Sequence, residues 1–146
     1  MDVAEVEVWD SVGPDRLPGL LELFGSTWWA VGRSPDDVAR MLAGSDVVLA
    51  LGHRESGRML GFARVLTDGV YLAVVLDVVV APAARGTGLG AVLMDAVVGH
   101  PRVAGVRSVE LVCQPELAGF YRRWGFTEQV GRSRLMRRTA DPLLAG

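Results

Sequence analysis

Apolar and polar positions divide the chain into short alternating stretches, two helical patterns, one long apolar run and a mixed close. Glu5-Val-Glu-Val-Trp9 alternates strictly, which predicts a half-buried strand. Gly13-Pro14 and Pro18-Gly19 punctuate a loop, and Leu20 to Trp29 then reads as a helix with a mixed end. Ser34-Pro-Asp-Asp37 predicts a helix start, with a hydroxyl cap, proline in the first position and acids in the first turn. Val38, Met41 and Leu42 share one face of that helix, and Gly44 ends it. Asp46–Leu51 and Met59–Thr67 predict strands joined by a hairpin through Arg54-Glu-Ser-Gly57. Asp68-Gly69 is a second turn.

The turn delivers the chain into Tyr71–Ala81, which is apolar on both parities and predicts a strand buried on both faces. Pro82 closes the run. Arg85-Gly-Thr-Gly-Leu-Gly90 follows, and Ala91–His100 has a helical pattern. A strand, a glycine turn and a helix N-terminus in this order build an anion site. Glycine permits a tight turn and close approach of a ligand, and the first helical turn presents unpaired N–H groups at the positive end of the dipole. A phosphate or pyrophosphate is the expected guest. His100-Pro101 breaks the helix, and Arg107–Cys113 predicts another strand. Pro115-Glu116 opens a short helix with Leu117, Phe120, Tyr121 and Trp124 on one face. Gly125 stops it, and Phe126 can fold back on it. Thr127–Met136 predicts one or two closing strands, and Thr139–Gly146 a frayed tail.

Length and composition narrow the function classes. The 146 residues suggest one domain over 1–146 with a sizeable core. No segment approaches the ~18 uninterrupted apolar residues of a membrane helix, and the acidic N-terminus lacks the order of a signal peptide. A single cysteine excludes an internal disulfide and agrees with a reducing compartment, so the expected location is cytoplasmic. A net charge of −2 gives no support to nucleic-acid binding, and no membrane partner is expected. His53, His100 and Cys113 share no motif, so neither a triad nor a metal site is indicated. Cys113 reads as a small core residue.

Two families use such a glycine turn. Gly86-Thr-Gly88-Leu-Gly90-Ala91 satisfies the loose dinucleotide pattern G-x-G-x-x-A, with Glu110 near the acidic ribose position. Against it, Pro82-Ala-Ala-Arg85 separates the turn from its strand. The stretch instead resembles motif A of the GNAT superfamily, the acetyl-CoA-dependent N-acetyltransferases, whose pattern is Arg/Gln-x-x-Gly-x-Gly/Ala. Arg85-Gly-Thr-Gly88-Leu-Gly90 fits every position. Further on, Phe120-Tyr-Arg-Arg-Trp-Gly-Phe126 resembles that superfamily's late Phe-Tyr-x-x-x-Gly-Phe signature.

The resemblance implies an α/β (α+β) fold with a mixed, mostly antiparallel central sheet flanked by helices. It implies acetyl-CoA as co-substrate, no metal, and direct transfer of the acetyl group to a primary amine. The acceptor is a small amine or a protein amine, and homodimers are common in the superfamily. Residues Arg85, Gly86, Thr87, Gly88, Leu89 and Gly90 would hold the pyrophosphate. Val78, Val79 and Val80 would offer backbone groups to the pantetheine arm and acetyl oxygen, and Tyr121 would protonate the departing thiolate. Trp28, Trp29 and Arg33 fall where acceptor pockets usually have a wall, or else the tryptophans are core and half-exposed packing. Some members carry a general base eleven or nine residues before the motif arginine. Here those positions are Val74 and Leu76, and neither takes a proton. Asp77 is the only ionisable group in the run. It is either a base or amine ligand, or a structural carboxylate paired with an arginine such as Arg64. Strict alternation would turn it away from Val78 and Val80 unless a bulge intervenes. A water-mediated base, or an amine arriving neutral, is the remaining route. Arg132, Arg134, Arg137 and Arg138 would attract an acidic acceptor or guard an edge strand. A non-catalytic acyl-CoA-binding module of the same fold is the rival reading.

Overall fold

A computed structural model describes residues 2–146. The chain divides into two compact units, one ending at Val112 and one from Cys113 to Gly146.

The first unit is built on a five-stranded sheet in the order β1-β2-β3-β4-β5. The strands are β1 (Val6–Trp9), β2 (Val47–His53), β3 (Met59–Thr67), β4 (Leu72–Val80) and β5 (Ser108–Leu111). The first three pairings are antiparallel and β4–β5 is parallel. The sheet is therefore mixed and mostly antiparallel, as expected. Short turns close β2–β3 and β3–β4, two helices separate β1 from β2, and the parallel step needs a crossover. The glycine turn and helix α3 (Leu89–Val98) lie within that crossover.

Helix α1 (Leu17–Gly25) begins before the expected Leu20 and ends before Trp29. Pro18 and Gly19 lie inside its first turn rather than in a loop, because proline there has no needed N–H to lose. At the other end the Ser26 and Thr27 hydroxyls donate to the carbonyls of Leu23 (2.6 Å) and Phe24 (3.3 Å), and the helix stops. Helix α2 (Pro35–Ala43) starts as predicted, with the Ser34 hydroxyl accepting from the Asp37 N–H at 3.1 Å.

Register decides which side chains share a face. Phe62 pairs with Val79, and the Phe24 ring of α1 stands edge-on to Phe62 at 5.6 Å. Ala63, Val65 and Val75 fall on the opposite face, and α3 adds Leu93, Met94 and Val97 to the buried core. The expectation that the central run is buried on both faces needs correction. Ala73, Val75 and Val79 are buried, but Val74, Leu76 and Val78 are half-buried and Tyr71 is 65% exposed. At this end of the α1 face, Leu66 and Leu72 remain open to solvent. The last strand is also shorter than the predicted Arg107–Cys113.

One extra residue interrupts β4. Phe62 pairs with Val79 and Arg64 with Leu76, so two β4 residues stand opposite the single Ala63. This is a β-bulge, and Asp77 takes a left-handed backbone there with φ 57°. The bulge puts the carboxylate on the side of Arg64, whose Nε donates to Oδ2 at 2.7 Å. Arg33, from the connection between α1 and α2, adds a two-pronged pair at 2.8 and 3.1 Å. Burial pushes the Asp77 pKa up, but hydrogen bonds and charge from Arg33 and Arg64 outweigh it and hold the group below its ordinary value. Arg33 also lies over Phe24, 4.8 Å from the ring centre. One carboxylate therefore joins β3, β4 and the α1–α2 connection.

The second unit carries short helical turns, Pro115–Leu117, Ala118–Tyr121 and Arg122–Trp124. The closing strands expected over Thr127–Met136 are absent among the described residues, and Leu135 and Met136 are 70% and 91% exposed. No partner ladder forms for this stretch among the described residues, and Gly131 takes a left-handed backbone at φ 65°.

Two stability outcomes follow. Asp77→Asn keeps a residue tolerant of left-handed backbone but removes the charge, and should cost about 2–3 kcal/mol at neutral pH. A depressed native pKa means the contribution is fully present above about pH 4 and fades as pH falls through that depressed value. Urea melts should show the gap between wild type and variant steady from pH 8 to 5 and narrowing below 4; a gap unchanged at pH 2 would rule out an ionic origin. The Trp9 ring lies on Gly52, and a Cβ there would sit 1.9 Å from Cζ2. Gly52→Ala should lower stability by about 1–3 kcal/mol through overpacking, measured in the same melts.

Candidate functional site

The turn after β4 explains its glycines. Ala81 N–H donates to the Leu60 carbonyl at 2.8 Å, and Pro82–Ala84 then make one 3₁₀ turn. Gly86 and Gly88 follow at φ 76° and 87°. A side chain in that region costs roughly 1–2 kcal/mol per residue. A Cβ at either glycine would meet nothing within 4 Å, so backbone conformation, not crowding, calls for glycine. The Thr87 hydroxyl donates to the Ala84 carbonyl and braces the loop. Gly88 caps α3 without a side chain, and its carbonyl accepts the first intrahelical bond from Val92 at 3.2 Å. The N–H groups of Leu89, Gly90 and Ala91 precede that bond and point out at the positive end of the helix. Leu89 itself is buried, so only its backbone serves the turn. Arg85 is exposed, with its Nε donating to the Val80 carbonyl at 3.3 Å. An open, glycine-lined, donor-rich turn fits a phosphorylated ligand.

Beside it, β4 loses a neighbour. Its pairing with β5 runs from Leu72 to Val75 and no further. From Leu76 to Val80 the strand is bound to β3 alone, leaving backbone groups on the other edge for a ligand. Val78, Val79 and Val80 lie on this stretch. The Val79 side chain is buried, so it too has only its backbone to offer.

Of the predicted acceptor wall, Trp29 and Arg33 come together and Trp28 does not join them. Trp29 is half-buried, edge-on to Phe24 at 6.5 Å and 5.7 Å from the Arg33 guanidinium. Trp28 is 55% exposed. Arg33 is not a free cation, because it is engaged by Asp77. Sequence reasoning named Arg64 as a partner for Asp77 but missed Arg33. The only signal was that a buried carboxylate with one partner still has acceptor capacity to fill.

In the second unit Tyr121 is buried, with Phe120 and Phe126 edge-on at 5.1 and 6.1 Å. Gly125 ends the turn at φ 86°, so the chain reverses as predicted and returns Phe126 to Tyr121. Leu117 is 39% exposed, so the expected apolar face narrows to the aromatic cluster. The phenol hydroxyl has no hydrogen-bond partner among the described residues, yet it is not sealed from solvent. Burial, then the neighbouring Cys113, pushes its pKa up to about 12. The Cys113 thiol is raised by burial and by Glu128 and Glu116, which disfavours a nucleophilic thiolate.

Other candidates recede. The His53 ring accepts from the Ser56 N–H at 3.1 Å and lies 3.7 Å from Glu5. No group among the described residues could hold a metal ion, and no helix is long and apolar enough to cross a membrane. A cleft of about 550 Å³ lined by Trp9, Arg16, Leu23, Met59 and Ala81–Ala83 contains none of the predicted site residues.

Comparison with known proteins agrees with this geometry. The family profile described as "Acetyltransferase (GNAT) domain" matches residues 44–128. Serotonin N-acetyltransferase 2, chloroplastic, of Oryza sativa subsp. japonica is 42% identical over 96 residues, which are 64% of this chain and 48% of that protein. GCN5-related N-acetyltransferase 1, chloroplastic, of Arabidopsis thaliana is 34% identical over 109 residues, 73% of this chain and 55% of the relative. The chain thus spans about half the length of these curated relatives. A solved GNAT-family protein from Xanthomonas campestris pv. campestris superposes with a TM-score of 0.77 at 33% identity, covering 92% of each chain. With its glycine turn, its half-unpaired central strand and these relatives, the chain belongs to the GNAT acetyltransferase family.

Proposed function

We propose that the protein transfers an acetyl group from acetyl-CoA to a primary amine. The observation that carries this reading is the glycine turn, with Gly86 and Gly88 in left-handed backbone, opening α3 directly beyond the free edge of β4. In the net reaction the thioester carbon gains a bond to the amine nitrogen and loses its bond to sulfur, and a proton from the amine ends on the sulfur.

Residues Arg85 to Gly90 bind the pyrophosphate through backbone N–H groups, helped by the Arg85 charge. Backbone groups of Val78 to Val80 orient the pantetheine arm, and an N–H there steadies the oxygen that gains charge, worth about 3 kcal/mol in other enzymes. No side chain is required for that task, so valine serves. Tyr121 supplies a hydrogen bond to the departing sulfur. A phenol held near 12 is a weaker acid than a thiol near ~8.5, so it steadies the thiolate rather than surrendering its proton outright. Asp77 is not the base in this reading. Two guanidiniums stabilise its charged form, which makes it a poor proton acceptor at neutral pH. The amine arrives neutral or loses its proton through water.

The lack of a free carboxylate on β4 favours one alternative, an acyl-CoA-binding module without catalysis. Incubation with acetyl-CoA and an amine panel, reading free thiol, separates the two. Amine-dependent release is expected; tight coenzyme binding without it would leave the binding module. Protection in a thermal shift by NAD but not CoA would remove both in favour of a dinucleotide protein.

Two variants test the parts. Gly88→Ala has room for its methyl group and should cost only about 1 kcal/mol of stability through backbone strain, while raising the KM for acetyl-CoA at least tenfold. An unchanged KM would remove the turn from the site. Tyr121→Phe should lower kcat at least tenfold with coenzyme affinity, by calorimetry, within a factor of about two. Equal turnover by both forms would end the role given to the phenol.

A further inference from the structure

The acceptor site of the proposed reaction has a charge that favours one class of amine. Asp77 carries one negative charge, and Arg33 and Arg64 bring two positive ones to it. The trio is therefore one positive charge in excess, on side chains only 8%, 30% and 16% exposed. Arg33 spends both terminal nitrogens on the carboxylate, whereas Arg64 spends only Nε. The two terminal nitrogens of Arg64 have no partner among the described residues, and neither is sealed from solvent. They form a planar pair of donors suited to two oxygens of one acid group.

Three apolar side chains follow Arg64 on the same face. Arg64 pairs with Leu76 and Leu66 with Val74, so these side chains share one sheet face. Leu66 is 38% exposed, and Val74 and Leu76 are half-buried. Glu110 of β5 pairs with Val74 and adds an exposed carboxylate at the far edge of this face, so the positive excess is confined to the Arg64 end. An acceptor with an apolar body and an acid group near its amine would satisfy both features.

We infer that, at the acceptor site of the proposed reaction, the free nitrogens of Arg64 bind an acid group of the acceptor, a carboxylate or a phosphate, while Leu66, Val74 and Leu76 receive its apolar part. This rests on the transferase reading for the location of the acceptor. Asp77 then acts as a positioning residue that fixes the angle of both guanidiniums, not as an amine ligand.

Matched acceptors decide it. Phenylalanine against 2-phenylethylamine, and glucosamine 6-phosphate against glucosamine, differ by the acid group and distinguish carboxylate from phosphate. The acidic member of at least one pair should have kcat/KM about tenfold or more higher, the scale of a charge-assisted hydrogen bond. Arg64→Gln should collapse that ratio toward one, and Arg64→Lys should retain part of it. Calorimetry with N-acetylphenylalanine and N-acetyl-2-phenylethylamine on the CoA-loaded protein supplies a readout that needs no turnover. Transfer to the neutral partners with equal or greater efficiency would overturn the inference and leave the transferase reading standing. Failure of every amine to promote thiol release would remove the transferase reading, and tighter, Arg64-dependent binding of the acidic product would still uphold the anion site. Equal binding of the two products would sink it.

Discussion

A single carboxylate between two guanidiniums ties together three separate segments of the first unit. Asp77 comes from β4, Arg64 from β3 and Arg33 from the connection between α1 and α2. Without it, the connection would lose its tie to the sheet through Arg33, and the left-handed residue in β4 would lack compensation. The pair is well satisfied, with both carboxylate oxygens bonded and no buried polar side-chain atom unpartnered among the described residues. Such satisfaction is what lets a charge sit in a largely dry place.

The same strand leads into the glycine turn. β4 keeps β3 along nearly its whole length but gives up β5 after Val75. A sheet that opens in this way leaves backbone donors and acceptors in register beside a helix N-terminus. The two sets of groups come from one continuous stretch, Leu76 to Gly90. Side-chain identity matters little over much of that stretch. Valine at three successive positions, one of them buried, is compatible with binding by backbone groups.

How much of this could be read in the residues depends on how local each cause is. The glycine turn was legible because left-handed backbone at Gly86 and Gly88 is a local demand that only one residue type meets freely. The Ser34 cap and the Gly125 stop were legible for the same kind of reason. The burial of the central run was overestimated, since apolarity on both parities says what a strand could bury and not what covers it. Pro18 and Gly19 misled as loop signals because a helix tolerates them in its first turn. Arg33 is 44 residues from Asp77, and no spacing rule reaches that far. Closing strands were expected over Thr127–Met136, but a ladder has two sides and only one of them is written there.

The turn before β4 fixes where the strand begins. Three backbone N–H groups, of Val70, Tyr71 and Leu72, donate to one Asp68 oxygen, and this lowers the Asp68 pKa. At the far end the Ala81 N–H is tied to Leu60. With both ends anchored, the surplus residue cannot be expelled by sliding one strand along the other. It has to be absorbed inside, and it is absorbed at Asp77. A β4 one residue shorter would run evenly along β3, and its acid would emerge on the face opposite Arg64. The polar centre of this protein is thus a matter of counting as much as of chemistry: an odd residue in a strand of fixed length turns a side chain through the sheet.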